Sequence, residues 1–201
     1  GRGEEAMVLI KEGKARYPGD KNLLMLEAAY LEEQGELEQA EAVFREALEH
    51  NPKDTEVMFQ LGVLLDKMGR TRAAVDMMEQ VIALDPEHSD ALNYAGYTLA
   101  VMGEDLDRAL VLVKNALKHE PGSSYIIDSL AWVYYKMGRL EQAWEEIQRA
   151  VASLDDATLW EHYGDIARAL GKKGQARRGY RKALELESEH AERVRSKLEE
   201  F

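Results

Sequence analysis

Residues 55–88 read TEVMFQLGVLLDKMGRTRAAVDMMEQVIALDPEH, and this stretch decides the fold. Met58, Leu61, Gly62 and Leu65 fall at i, i+3, i+4 and i+7, the stripe along one face of a helix. Lys67-Met68-Gly69-Arg70 interrupts the stripe, and Gly69 suits the left-handed backbone just past a helix end. A second stripe runs through Ala74, Met78, Val81 and Ile82. It stops at Asp85-Pro86, because the residue before a proline is pushed out of the α region. Asp54, just ahead of the first helix, is placed to cap it.

Outward from this stretch the same pattern recurs. Ala6, Ala40, Ala74, Ala109, Ala143 and Ala176 follow one another at intervals of 34, 34, 35, 34 and 33 residues. Gly35, Gly69, Gly103, Gly138 and Gly171 keep the same beat, as do Pro18, Pro52, Pro86 and Pro121. A fixed period of this length marks stacked helical units, each too small to bury its apolar face alone. Asp20, Ser123 and Asp156 stand at the N-cap position of other units, whereas His88 breaks the pattern with Ser89 one residue later. One extra residue lies within 104–107 and one is missing around 154–156.

These residues resemble the tetratricopeptide repeat family, whose unit is two antiparallel helices, A and B. The unit is carried by Met58…Leu61-Gly62…Leu65…Ala74…Met78…Val81…Pro86 and by Leu92…Ala95-Gly96…Leu99…Ala109…Val113…Ala116…Pro121. It continues in Ile127…Leu130-Ala131…Tyr134…Ala143…Ile147…Ala150 and in Trp160…Tyr163-Gly164…Ala167…Ala176…Tyr180…Ala183. Residues 21–54 match least on helix A, where Glu27 takes the usual Leu position, but Ala40, Phe44, Ala47 and Pro52 restore the pattern. The resemblance implies an all-α fold, a right-handed α-solenoid of stacked antiparallel helix pairs. Residues 1–201 then read as one array: helix B of a partial repeat over 4–20 and five repeats over 21–54, 55–88, 89–123, 124–156 and 157–190. A capping helix over 191–201 closes it, with an apolar stripe of Ala191, Val194, Leu198 and Phe201. The start at Gly1-Arg2-Gly3 reads as an excised fragment with further repeats upstream.

The chain has 45% apolar and 32% charged residues, ordinary for a folded protein, and no cysteine for disulfides or thiolate metal sites. A formal charge of −12 argues against general binding to nucleic acid or anionic membranes. No apolar run approaches the roughly 18 residues of a membrane-spanning helix.

Catalytic chemistry finds no support. Gly171-Lys172-Lys173-Gly174 is a repeat turn without the strand context of a phosphate loop. His50, His88, His119 and His190 fall at helix ends or near turns, where solvated side chains are the ordinary reading. Glu161 and Asp165 share a helix face that His162 does not, which argues against a metal trio. The expectation is no enzyme, no cofactor and no metal.

The family resemblance places ligands on the groove lined by A helices. Carried over residue by residue, that surface includes Met25, Phe59, Val63, Asn93, Tyr97, Tyr125, Asp128, Trp132, Tyr135, Lys136, Glu161, Asp165 and Arg168. The basic clamp that grips chaperone C-termini is not implied, since Met25, Ala29 and Phe59 hold its positions. Tyr97, Tyr125, Trp132 and Tyr135 lie outside the packing signature and form a candidate hot spot. Their alternative role is packing between neighbouring A helices. As surplus to the core, Trp132 would be replaceable by Ala with little change in melting temperature. Asn93 and Asp128 would bond the backbone of an extended peptide, or pair with each other and nearby turns.

Between Ile166 and Leu184 lie Arg168, Lys172, Lys173, Arg177, Arg178, Arg181 and Lys182 with no acid, whereas Glu27 to Glu56 is mostly acidic. The basic patch Arg177, Arg178, Arg181 and Lys182 is a solvated face, an acidic-partner site or a head-to-tail contact.

The function expected is a noncatalytic scaffold holding a peptide or partner protein in the groove. The alternatives are a structural oligomerisation module with acidic and basic ends, or nucleic-acid binding through the last repeat. The stretches 93–100 and 128–135 look like bacterial tetratricopeptide proteins, many of them envelope lipoproteins or assembly factors. That resemblance implies a bacterial protein, cytoplasmic, periplasmic or attached to the outer membrane through a missing upstream segment.

Overall fold

The computed structural model describes residues 2–200, with the side chains of residues 2–4 left undescribed. Phe201, the last member of the expected capping stripe, and Gly1 lie outside the described residues. Among the described residues there are twelve α-helices and no strand. The chain divides into two compact units, residues 1–91 and 92–201.

The first unit holds α1 (Arg2–Arg16), α2 (Lys21–Glu33), α3 (Leu37–His50), α4 (Thr55–Lys67) and α5 (Thr71–Leu84). Its α2 and α4 begin where sequence placed their caps: Asp20 Oδ1 accepts the Leu23 N–H and Asp54 Oδ1 accepts the Val57 N–H. Such a cap supplies about 1 kcal/mol by satisfying a helix-end donor. Leu24, Ala28, Ala40, Phe44, Leu61, Ala74 and Met78 form the buried seams. The odd Glu27 is explained here: Lys14 of α1 bridges it to Glu46. Burial pulls the Lys14 pKa down, but the two carboxylates outweigh burial and hold it above its ordinary value.

The second unit holds α6 (Ser89–Met102, its first turn lying in the first unit), α7 (Leu106–His119), α8 (Ser124–Lys136) and α9 (Leu140–Ser153). It continues with α10 (Ala157–Ala169), α11 (Lys173–Glu185) and α12 (Ala191–Glu199). Three caps differ from the simplest reading. His88 itself caps α6, its Nδ1 accepting the Ala91 N–H at 3.3 Å. Ser123 makes no side-chain cap bond. The extra residue within 104–107 is accommodated by Asp105, which turns left-handed (φ 40°) and accepts the Arg108 N–H to start α7.

In both units the A–B turns place Gly35, Gly69, Gly103, Gly138 and Gly171 at φ between 71° and 76°. Only glycine takes that conformation without strain, which is why the beat is kept. Ala40, Ala74, Ala109, Ala143 and Ala176 are fully buried, the close-approach points of the helices.

Candidate functional site

Helices α6, α8 and α10 bring most of the expected groove residues together in the second unit. Their order across the face follows from side chains spaced along one helical stripe and repeated in the next A helix. Tyr97 of α6 is the hub. On one side it lines a cleft of about 270 Å³ with Asn93, Tyr94, Tyr125, Asp128 and Thr158. On the other it lines a second cleft of about 350 Å³ with Trp132, Glu161, His162, Arg193 and Lys197.

Tyr125 is the one expected groove aromatic that stands out into solvent, at 57% exposure. Tyr97, Trp132 and Tyr135 are half-buried. The Trp132 indole is stacked between His162 (centroids 4.1 Å) and Tyr135 (4.9 Å). It therefore joins α8 to α10 as packing, which corrects the expectation that it is surplus to the core. Burial, then the nearby Asp128 charge, push the Tyr97 hydroxyl up to about 12, so it is a neutral donor at physiological pH.

Asp128 is buried and spends both carboxylate oxygens on His162 Nδ1, at 2.9 Å each. It pairs neither with Asn93 nor with solvent, so of the two readings given to these residues Asp128 follows neither. Asn93 Oδ1 is shielded and has no hydrogen-bond partner among the described residues. Trp132 Nε1 is in the same condition. Orphaned buried polar atoms are uncommon and costly, so each demands a reason.

Glu161 and Asp165 share a face as expected, but that face is covered. Arg193 and Lys197 of α12 bond Glu161 at 2.8 and 2.7 Å, and Lys197 reaches Asp165 at 2.6 Å. Tyr180 donates its hydroxyl to Asp165 at 2.8 Å. Burial raises the Glu161 pKa, but the bonds from Arg193 and Lys197 outweigh it and hold the carboxyl below its usual range. These two acids, expected as ligand contacts, are internal anchors for α12. Sequence reading missed this seam, because Arg193 and Lys197 lie outside the repeat pattern; their i, i+4 spacing was the available signal.

Lys136 is exposed and donates to the Val101 carbonyl at 3.2 Å. Arg168 pairs with Glu200 at 2.7 Å. In the first unit Met25, Phe59 and Val63 are half-buried, and Phe59 stacks on His88 at 5.3 Å. The basic patch is exposed except for Lys182, which pairs with Asp155 at 3.2 Å. Among the described residues no group of three or more His, Cys, Asp or Glu is arranged to hold a metal. None of their helices is long and apolar enough to cross a membrane.

A helical repeat array with an aromatic-lined A-helix face defines the class, and comparison with known proteins names the family. Tetratricopeptide repeat models match residues 31–95, 100–166 and 157–190. The chain belongs to the tetratricopeptide repeat family. It is 28% identical over 162 residues to the TPR repeat-containing protein PA4667 of Pseudomonas aeruginosa, covering 81% of this chain and 22% of that relative's length. Among solved structures it resembles TTC0263, a thermophilic protein of this family from Thermus thermophilus (TM-score 0.71, 23% identity, 85% of this chain and 95% of that one). It also resembles YrrB, a family member described as having an unusual peptide-binding site (TM-score 0.67, 17% identity, 94% and 97%). At these identities the structural likeness concerns the fold.

Proposed function

We propose that this chain is a noncatalytic scaffold and that the A-helix face of residues 92–201 holds an extended segment of a partner protein. The observation that carries the reading is the cleft between Tyr97 and Tyr125, with the unpartnered Asn93 Oδ1 at its wall. Asparagine χ2 is broad and soft, so a small rotation presents the amide to an incoming peptide N–H. Tyr125 then closes over an apolar side chain, the arrangement of an interface anchor. YrrB's described peptide-binding site supports a peptide as the occupant.

The test is capture from a displayed peptide library on the intact chain, followed by titration of the selected peptides. Asn93→Leu and Tyr125→Ala should each weaken binding at least tenfold. Neither should lower the melting temperature, since Asn93 contributes no hydrogen bond through Oδ1 and Tyr125 is largely solvated. Selected peptides that bind both variants as tightly as the parent would refute the reading.

A further inference from the structure

A second surface, on the far side of α10 from the Tyr97 clefts in terms of its lining residues, has a different chemistry. A cleft of about 740 Å³ is lined by Trp160 of α10 and by Arg177, Arg178, Arg181 and Lys182 of α11, with Asp155 and Glu185 as its acids. Asp155 is already occupied, accepting from Trp160 Nε1 at 2.9 Å and from Lys182 at 3.2 Å. Arg178 lies over the Trp160 ring at 5.4 Å. Arg181 is exposed and makes no ion pair among the described residues. The cleft lining thus carries four cations against two acids, beside an aromatic wall.

The complement is carried by the same chain. From Glu27 to Glu56 there are ten acids against two cations. Six are paired within the first unit: Glu27 and Glu46 by Lys14, Glu32 by Lys67, Glu41 by Arg45 and Arg70, Asp54 and Glu56 by Lys21. Glu49 is not, and neither are Glu33, Glu36 and Glu38. The last three are exposed around the α2–α3 turn, and none has an ion pair among the described residues. Gly35 at the turn has open space where a side chain would stand.

We infer that the Glu33–Glu38 turn of one copy seats in the Arg177–Arg181 cleft of a second copy. The two surfaces differ, so the contact is heterologous and adds copies head to tail rather than closing a two-fold dimer. Opposite charges steer the encounter and set its register, and salt screens it. Nucleic acid is the other polyanion that such a cleft attracts, but the net charge of −12 opposes it. The contact leaves the Tyr97 clefts free, so an assembled array would offer several peptide sites at once.

Sedimentation velocity on the full chain tests this. At about 50 mM salt the mean mass should grow with protein concentration, and at about 500 mM salt association should weaken at least tenfold. The pair Arg177→Glu/Arg181→Glu should be monomeric, and so should Glu33→Lys/Glu36→Lys, each retaining its helical circular dichroism. An equimolar mixture of the two variants should associate again, because each supplies a surface complementary to the other. Tyr125→Ala should associate like the parent, which separates this contact from the peptide face. A parent that stays monomeric at low salt overturns the inference. So does association that survives in either variant, a mixture that fails to associate, or binding of an oligonucleotide or a glutamate peptide to the cleft without self-association.

Discussion

His162 Nδ1 lies 2.9 Å from both carboxylate oxygens of Asp128, which stands one helical repeat earlier, and both side chains are buried. The pair joins α8 to α10 beneath the Trp132 ring. Burial pulls the His162 pKa down, but Asp128, with Asp165 and Glu161 behind it, outweighs burial and raises it. The imidazolium is therefore favoured in the folded state. Tyr97 lies against the same ring (centroids 6.3 Å), and Arg193 and Lys197 line the cleft beside it.

A raised folded pKa contributes stability that is fully present below the unfolded value of about 6.5 and is lost as pH rises through the folded value. The midpoint of urea unfolding should therefore fall between pH 6 and alkaline pH. Asp128→Asn should lower the midpoint most at pH 6 and flatten this part of the pH profile. An Asp128→Asn profile parallel to the parent's would show that the pair is not the source.

Glu161 supplies the opposite limb. Its folded pKa is depressed, so its contribution is present above about 4.3 and is lost as pH falls through the folded value. Lys197→Met leaves Glu161 and Asp165 buried with one cation fewer, a change that costs about 3 kcal/mol. Hydrogen exchange should then show α12 opening before the rest of the unit. Arg193 is exposed, so Arg193→Ala should cost far less.

Two glycines that look alike in sequence should respond differently to alanine. A Cβ on Gly179 would stand 2.7 Å from Gly164 N and 2.9 Å from the Trp160 carbonyl, both fixed backbone. Overpacking there costs roughly 1–3 kcal/mol, and rigid neighbours put Gly179→Ala at the upper end. At Gly62 the closest group is the Met78 methyl at 2.6 Å, the far end of a flexible side chain. Gly62→Ala should be the milder of the two in thermal melts; equal losses would mean that α10 and α11 can slide apart.

The backbone was legible because its determinants are local. Gly69 and its equivalents need a left-handed turn, Ala74 and its equivalents need a close approach, and both needs recur at a fixed spacing. The close approach at Gly179 was not read from the sequence, although a glycine inside a helix-forming run was the available signal. Pairing across A helices was not legible. The repeat equivalent of Asp128 is Glu161, since one residue is missing near 154–156, yet Asp128 meets His162 one position further on. Glu161 is instead taken by Arg193 and Lys197 of α12, which lies outside the repeat. Most of the candidate groove positions fall together on α6, α8 and α10, but which members face solvent and which are consumed by neighbours depends on such contacts.

Trp132 is where this difference has the largest consequence. Its ring is held between His162 and Tyr135, so Trp132→Ala removes two aromatic contacts and opens a cavity next to a buried ion pair. Truncating a packed tryptophan costs about 3–5 kcal/mol, and here the ring is half-buried, which favours the lower figure. Trp132→Phe keeps a ring in the stack and removes the indole N–H that has no partner, so it should recover most of the loss. Calorimetry should place Phe between parent and Ala, nearer the parent. Peptide binding per folded molecule should be affected less by Trp132→Ala than by Tyr125→Ala, because Tyr125 is the exposed wall of the cleft. A melting temperature unchanged in Trp132→Ala, with binding lost, would restore tryptophan to the interface and remove it from the core.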